Sequence, residues 1–398
     1  MEAREAAPLP PLFAIHAGQG VFDSIRLVRD HFTHYWNSWR QERAARRLDS
    51  RQIDRERLHE RLLDEQTGGQ GLEGAPRRLA VVAIYPSEES LTFTLTLLRL
   101  LDEAGFRSVV VATAPLTPAQ QAAVLPLCAH LAQRMNVGHD IGSYQWGLRW
   151  LQQRGLTDTA EHLLMVNDSM FWPRALGAEL AAMLDNPEPW QCLFESFDHD
   201  HHAQSFFLLF RQEVFRGAAF RAFWEDYRPY SRRSHAIAAG ELGLSRALRA
   251  AGLMPAAAYD TARLQRELTA STLTAGEVAA LAPFSRGWPL KRQAALEVAQ
   301  AGLSPAEQRA LLAVIACQAA EACNPTHSVG LLWNRLVAAP LKRDLCVRGS
   351  HSLGQLLGQV RGLTPEEIRQ MERDLRRRGL PAAVLGTRRL MWTWFGRC

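Results

Sequence analysis

Two short, continuous apolar runs stand out in the first third of the chain, Leu79–Tyr85 (LAVVAIY) and Ser108–Ala114 (SVVVATA). Runs apolar at both alternations predict strands of a parallel sheet covered on both faces. Pro86 ends the first run. Between the two, Leu91–Ala104 carries apolar residues at helical spacing and stops at Gly105, as a helix C-terminus should. Thr117-Pro118 opens another helix with a capping residue and a first-turn proline. Further on, Ile141, Tyr144, Leu148 and Leu151 share one helical face, with Asp140 placed as its cap. His162–Val166 reads as a third strand and Ser205–Phe210 (SFFLLF) as a fourth or fifth. Strands alternating with helices predict a doubly wound, mostly parallel sheet. Such sheets bind ligands beyond the carboxyl ends of their strands, here just after Tyr85, Ala114 and Val166.

The flanks read differently. Residues 1 to about 64 predict peripheral helix, and Trp36–Leu63 mixes Arg43, Arg46, Arg47, Arg55 and Arg57 with Asp54 and Glu56. Mixed charge at helical spacing predicts a solvated face with i,i+4 pairs. Docking on an anionic membrane surface, helped by Phe32, Tyr35, Trp36 and Trp39, is the functional alternative. Gly68, Gly69, Gly71 and Gly74, within Gln66–Pro76, mark a flexible connector. From about Ala270 the pattern is helical throughout, and Ser304-Pro305-Ala306-Glu307 and Thr364-Pro365-Glu366-Glu367 read as capping boxes with proline at the first helical position. The expected organisation is therefore 1–75 helical extension and linker, 76–268 α/β sheet domain, and 269–398 all-helical appendage.

Composition narrows the class. With 398 residues, 47% hydrophobic and 22% charged, the chain is not mainly disordered, collagen-like or a coiled coil. No run approaches the roughly 20 apolar residues of a membrane span, and the start lacks a secretion-signal layout; a cytoplasmic location is expected. The net charge is +5, yet Lys291 and Lys342 are the only lysines, so the basicity reads as arginine-rich coding bias. No single-strand platform or zinc-finger spacing accompanies it, and no nucleic-acid partner is expected. Cys128, Cys192, Cys317, Cys323, Cys346 and Cys398 form no CxxC pair and predict thiols rather than a disulfide framework.

Several residues carry candidate chemistry. Asp168 follows a buried strand, where a carboxylate can hold a divalent metal against a diphosphate; Asn167-Asp168-Ser169 is equally good turn chemistry. Asn136–Tyr144 holds two glycines that let backbone approach a ligand and a helix start that offers amides to anions, or is a plain capped loop. Asp198-His-Asp-His-His202 looks like a metal cluster, but on a strand its side chains alternate between faces. Phe223 and Trp224 fit a core better than a sugar platform. Lys342-Arg343 suits phosphate contact or a solvated pair.

Six short motifs occur in one order: Asn136-x-Gly138-x-Asp140-Ile-Gly-Ser-Tyr144, Asn167-Asp168-Ser169, His202-x-Gln204-Ser205-Phe206-Phe207, Phe223-Trp224, Gly240-Glu241-x-Gly243-Leu244-Ser245 and Asn324-Pro325-Thr326-His327. Together, from about Leu79 to Leu345, they resemble the rhamnan synthesis protein F family of bacterial polysaccharide glycosyltransferases. More distantly they resemble inverting glycosyltransferases of the GT-A fold. That resemblance implies a GT-A-like sheet and transfer of rhamnose or a related deoxyhexose from a nucleotide sugar to a cell-surface polysaccharide such as lipopolysaccharide. It implies Asp168 as metal ligand for Mg2+ or Mn2+ and Glu241 as general base. Tyr85, Asn136, Gly138, Asp140, Tyr144, Asn167 and Ser169 would line the nucleotide-sugar pocket, with His202, Gln204 and His327 near acceptor or sugar. A lipid-linked glycan acceptor would bring peripheral contact with the inner face of the membrane. Two departures bear on it: the strand-end motif has one carboxylate, and the second strand ends at Thr113-Ala114 without an aspartate for the nucleoside. They motivate an alternative, a non-catalytic sugar-nucleotide-binding assembly factor. A metal-dependent hydrolase built on Asp198–His202 is a third reading.

Overall fold

The computed structural model describes residues 39–378, apart from 41, 73–74, 87, 199, 284–291 and 347–349. Phe32, Tyr35 and Trp36 of the suggested membrane-docking segment lie outside the described residues. Trp39 is 47% exposed, with the Arg43 guanidinium 4.7 Å above its ring.

Twelve strands are described: β1 Leu62–Thr67, β2 Arg78–Ile84, β3 Arg107–Ala112, β4 His130–Arg134, β5 His162–Asn167, β6 Met170–Phe171, β7 Trp190–Cys192, β8 Glu195–Ser196, β9 His202–Ala203, β10 Phe207–Arg211, β11 Ala256–Ala257 and β12 Leu341–Lys342. Eight form one sheet in the order β1-β4-β3-β2-β5-β10-β7-β11. Its centre, β4-β3-β2-β5, is parallel, while β10 runs antiparallel to both β5 and β7. The doubly wound, mostly parallel sheet read from the apolar runs is present.

The pleat of β2 explains the layering. Ala80, Val82 and Ile84 enter a core shared with Phe93, Leu97 and Leu101 of the helix Glu88–Glu103. Leu79, Val81 and Ala83 enter the opposite core with Ile141, Tyr144 and Leu148 of the helix His139–Gln153. Each fully buried valine or leucine contributes about 1.5–3 kcal/mol, so a strand buried on both faces anchors both layers. Gly147 allows the second helix to lie close, since a Cβ there would stand 2.4 Å from Val81 Cγ1.

The pattern showed β2, β3, β5 and β10 but not the others, and β1 and β4 show why. Leu62–Thr67 was expected at the end of a solvated helix and the start of the connector, yet it is β1, antiparallel to β4. It is an edge strand with mostly exposed side chains, so its sequence (LLDEQT) lacks an apolar face. In β4 (HLAQR) all five residues are buried. Arg134 is buried at its end with no carboxylate partner among the described residues: Nη1 donates to the carbonyls of His59 (3.2 Å) and Met135 (2.9 Å), and Nη2 to that of Val137 (2.9 Å). Burial lowers its pKa to about 9.

The C-terminal region is helical as expected, and Pro305–Ala322 begins with the predicted Ser304/Glu307 capping box. It is not wholly helical, however. Strand β12 returns to pair with β6, with Leu341 opposite Phe171 and Lys342 opposite Met170. Leu331, Trp333 and Leu341 share the core of Val82 and Phe93, so the region packs as part of the sheet's own hydrophobic layer. Among the described residues, no helix is long and apolar enough to cross a membrane, and the five described cysteines are free thiols.

Candidate active site at the carboxyl ends of the central strands

The loop after β4 is shaped by its glycines. Gly138 sits at φ +84°, the left-handed region that favours glycine, and a Cβ there would meet Pro229 Cβ at 2.6 Å. Arg134 clamps the same loop through the Val137 carbonyl. Gly138 is the N-cap of the helix His139–Gln153, so Asp140 is not the cap expected from its position. Asp140 lies in the first turn instead, where Oδ1 accepts the Ile141 amide (3.1 Å) and Oδ2 accepts Asn167 Nδ2 (2.7 Å). Asn136 is exposed at the rim. Tyr144 is fully buried and its hydroxyl donates to the Ser205 carbonyl (2.9 Å), so it positions the start of β10.

At the end of β5 the alternation of side chains separates neighbours. Asn167 reaches Asp140 on one side. Asp168 turns the other way: its Oδ2 accepts the Tyr85 amide (2.9 Å). Burial pushes the Asp168 carboxyl up, while the Arg343 charge and the Tyr85 hydrogen bond pull against that rise. Ser169 donates its amide to Asn167 Oδ1 (3.0 Å), and its hydroxyl oxygen accepts from Lys342 Nζ (3.1 Å). Tyr85 is 59% exposed at the rim above this turn.

Glu241 ends a π-helical turn, Ala236–Glu241, that continues into the helix Leu242–Ala250. Gly240 brings this turn against Ile141, because a Cβ there would stand 2.8 Å from Ile141 Cγ1. Glu241 Oε1 lies 3.2 Å from His202 Nε2, and Oε2 accepts the Ser205 amide (3.1 Å) and the Ser205 hydroxyl. His202 Nδ1 lies 2.7 Å from the Asp200 carbonyl. Burial opposes ionisation of Glu241, but the hydrogen bonds from His202 and Ser205 outweigh it and lower its pKa. Burial likewise opposes the charged His202, and its bonds to Glu241 and Asp200 outweigh that and raise its pKa. Asp140 goes the opposite way from Glu241: burial and the Glu241 charge both raise it. The site therefore holds two carboxylates whose proton affinities are driven apart.

The structure divides Asp198–His202, though not by strand alternation: the segment is a loop until strand β9 begins at His202. Asp200 binds Arg246 (2.7 Å) and Arg249 (3.2 Å), His201 lies 2.7 Å from Glu195 Oε2, and His202 goes to Glu241. His199 lies outside the described residues. Gln204 is buried and its Oε1 has no hydrogen-bond partner among the described residues. His327 is buried, with Nε2 2.9 Å from Asp344 Oδ1. Trp224 packs in the core with Phe220 and Tyr227.

Ser205, which the sequence left without a role, and Lys342, read there as a phosphate contact or a solvated pair, both stand at this site. Ser205 joins β10 to Glu241 through both amide and hydroxyl. Lys342 touches the strand-end turn itself, and the signal was available: in a chain that otherwise uses arginine, it is one of two lysines.

The donor set does not suit a divalent cation. Asp168 Oδ2, Asn167 Oδ1 and Ser169 Oγ each already accept a hydrogen bond, the last from an ammonium that would repel a cation. Among the described residues no group of three His, Cys, Asp or Glu side chains converges, whereas Mg2+ or Mn2+ favours several oxygen ligands.

These contacts join four of the six motifs, from Asn136–Tyr144, Asn167–Ser169, His202–Phe207 and Gly240–Ser245, at one rim. Residues 108–284 match the model of the rhamnan synthesis protein F family. The rhamnan synthesis protein F match contains those four motifs and Phe223-Trp224; Tyr85, Asn324–His327 and Lys342 fall outside it. The chain is also 23% identical over 179 residues to the protein y4gN of Sinorhizobium fredii, described as uncharacterized. That alignment covers 42% of this chain and 45% of the relative, so the chain spans less than half of the relative's length. Two solved structures are similar at a TM-score of 0.31. One, from Desulfovibrio desulfuricans and described as a nucleotide-diphospho-sugar transferase, is 11% identical, covering 45% of this chain and 78% of its own. The other, a mannosyltransferase from Pyrobaculum calidifontis in complex with GDP-Man and Mn2+, is 15% identical, covering 75% and 86%.

Proposed function

We propose that this chain is a glycosyltransferase of surface polysaccharide synthesis, taking a sugar from a nucleotide-sugar donor to a glycan or lipid-linked glycan acceptor. Rhamnose or a related deoxyhexose is the donor sugar that the matched family's name suggests. The catalytic unit is residues 76–268 together with the returning strand β12.

The observation that carries the reading is Glu241, held ionised by His202 and Ser205 beside the strand-end turn and Asp140. A base must start deprotonated. The acceptor hydroxyl oxygen attacks the anomeric carbon, the bond from that carbon to the donor phosphate oxygen breaks, and the acceptor's proton passes to Glu241. The nucleoside diphosphate leaves, and a single in-line displacement inverts the anomeric centre. Exposed Tyr85 and Asn136, with the Gly138 turn, form the rim against which the nucleoside lies. Asn167 fixes Asp140, and Gln204 Oε1 is an acceptor awaiting a donor, such as a sugar hydroxyl.

The test is release of nucleoside diphosphate from dTDP-, GDP- and UDP-sugars, with and without a glycan primer. Primer-dependent release that disappears in Glu241→Gln supports transfer. Binding of a nucleotide sugar with no release from any donor points to the assembly factor.

A further inference from the structure

We propose that Lys342 supplies the positive charge facing the departing diphosphate, so that this site works without a divalent cation. The inference rests on the sugar-transfer reading above and assigns that site a cation of its own.

Register places the residue. The pairing of Lys342 with Met170 sets its side chain directly over the turn Asn167–Ser169, with Nζ 3.1 Å from Ser169 Oγ and 4.7 Å from the centre of the Phe206 ring. Among the described residues, no carboxylate oxygen pairs with this ammonium within 4 Å. The acids whose charge reaches Lys342 are held by other groups: Asp344 by His327, Glu241 by His202, and Asp140 by Asn167 and the Ile141 amide; Asp168 in the turn accepts the Tyr85 amide. Lys342 therefore carries a positive charge with no carboxylate partner within 4 Å among the described residues, at a half-buried position beside the strand end.

The side-chain type suits the task. Arginine presents a broad planar fork, whereas lysine is a compact point charge that fits beside phosphate oxygens in a narrow turn. Charge placed where negative charge develops on a leaving group stabilises the transition state. A dication bound through Ser169 Oγ would sit against an ammonium already there. The two cations compete for one place, and the observed donor set favours the lysine.

Calorimetric titration of the full chain with dTDP, GDP and UDP, in EDTA and then in MnCl2, tests this. At least one diphosphate should bind in EDTA within about twofold of its affinity in Mn2+. Lys342→Met should weaken EDTA binding by at least about tenfold, ~1.4 kcal/mol, and Lys342→Arg should recover part of it. Binding that appears only with Mn2+ overturns the inference and leaves the sugar-transfer reading standing. Unchanged EDTA affinity in folded Lys342→Met also overturns it, and Lys342→Gln serves if the methionine variant unfolds. No binding of any diphosphate with or without metal removes the sugar-transfer reading itself, and this inference with it.

Discussion

Buried His202 and half-buried Glu241 form a pair, Nε2 to Oε1 at 3.2 Å, with the second imidazole nitrogen 2.7 Å from the Asp200 carbonyl. The imidazole is thus held from both ends, and Ser205 holds the carboxylate's other oxygen. The pair orients Glu241 and also ties its charge to pH.

His202 has a raised folded pKa, so its stabilisation is fully present below the ordinary histidine value of 6.5 and is lost as pH rises through the higher folded value. Wild type should therefore exceed His202→Gln in melting temperature most at about pH 6, with the gap narrowing towards about pH 9. A gap independent of pH would show that the pair is not ionic.

Glu241→Gln keeps the size of the side chain and removes the proton acceptor. Turnover should fall by about 10²- to 10⁴-fold, the range of a lost general base, while nucleoside diphosphate affinity stays within a few-fold. Single-turnover kinetics with a bound donor separates the two. Equal loss of binding and turnover would make Glu241 a structural carboxylate.

Arg134→Met leaves the carbonyls of His59, Met135 and Val137 without their buried donor. A loss of about 3 kcal/mol is expected, measurable by urea unfolding. Because Val137 precedes the Gly138 turn, donor affinity should fall as well. A change below about 0.5 kcal/mol, the size of an ordinary surface substitution, would contradict the clamp.

Gly240→Ala puts a methyl 2.8 Å from Ile141 Cγ1 and 2.9 Å from Cγ2. Overpacking of this kind costs about 1–3 kcal/mol and should push Glu241 away from Asp140. Ile141→Ala removes the opposing atoms, so the double variant should lose less activity than the two single effects combined. Strict additivity would mean that the two elements do not bear on each other.

The sequence revealed strands whose burial is apolar and hid those whose burial is polar. Val109–Val111 and Leu163–Val166 were plain as continuous apolar runs because β3 and β5 are covered on both faces. The strand β4 was not, since His130, Gln133 and Arg134 are buried with polar partners from distant segments. At the site, Asp140, Asn167, His202 and Glu241 could be named from motifs. That Asn167 would face Asp140 while Asp168 faced Tyr85 and Arg343 depends on the twist of one strand end. Lys342 depended on a two-residue strand returning from the far side of the chain, a pairing no local pattern records.

The central claim is most directly tested by a crystal structure with an intact nucleotide sugar bound. The diphosphate should lie between the Gly138 turn and Asn167–Ser169, with the anomeric carbon facing Glu241. A donor seated elsewhere, for example in the cleft lined by Glu179, Gln191 and Arg263, with the rim of β2 and β5 untouched, would contradict it.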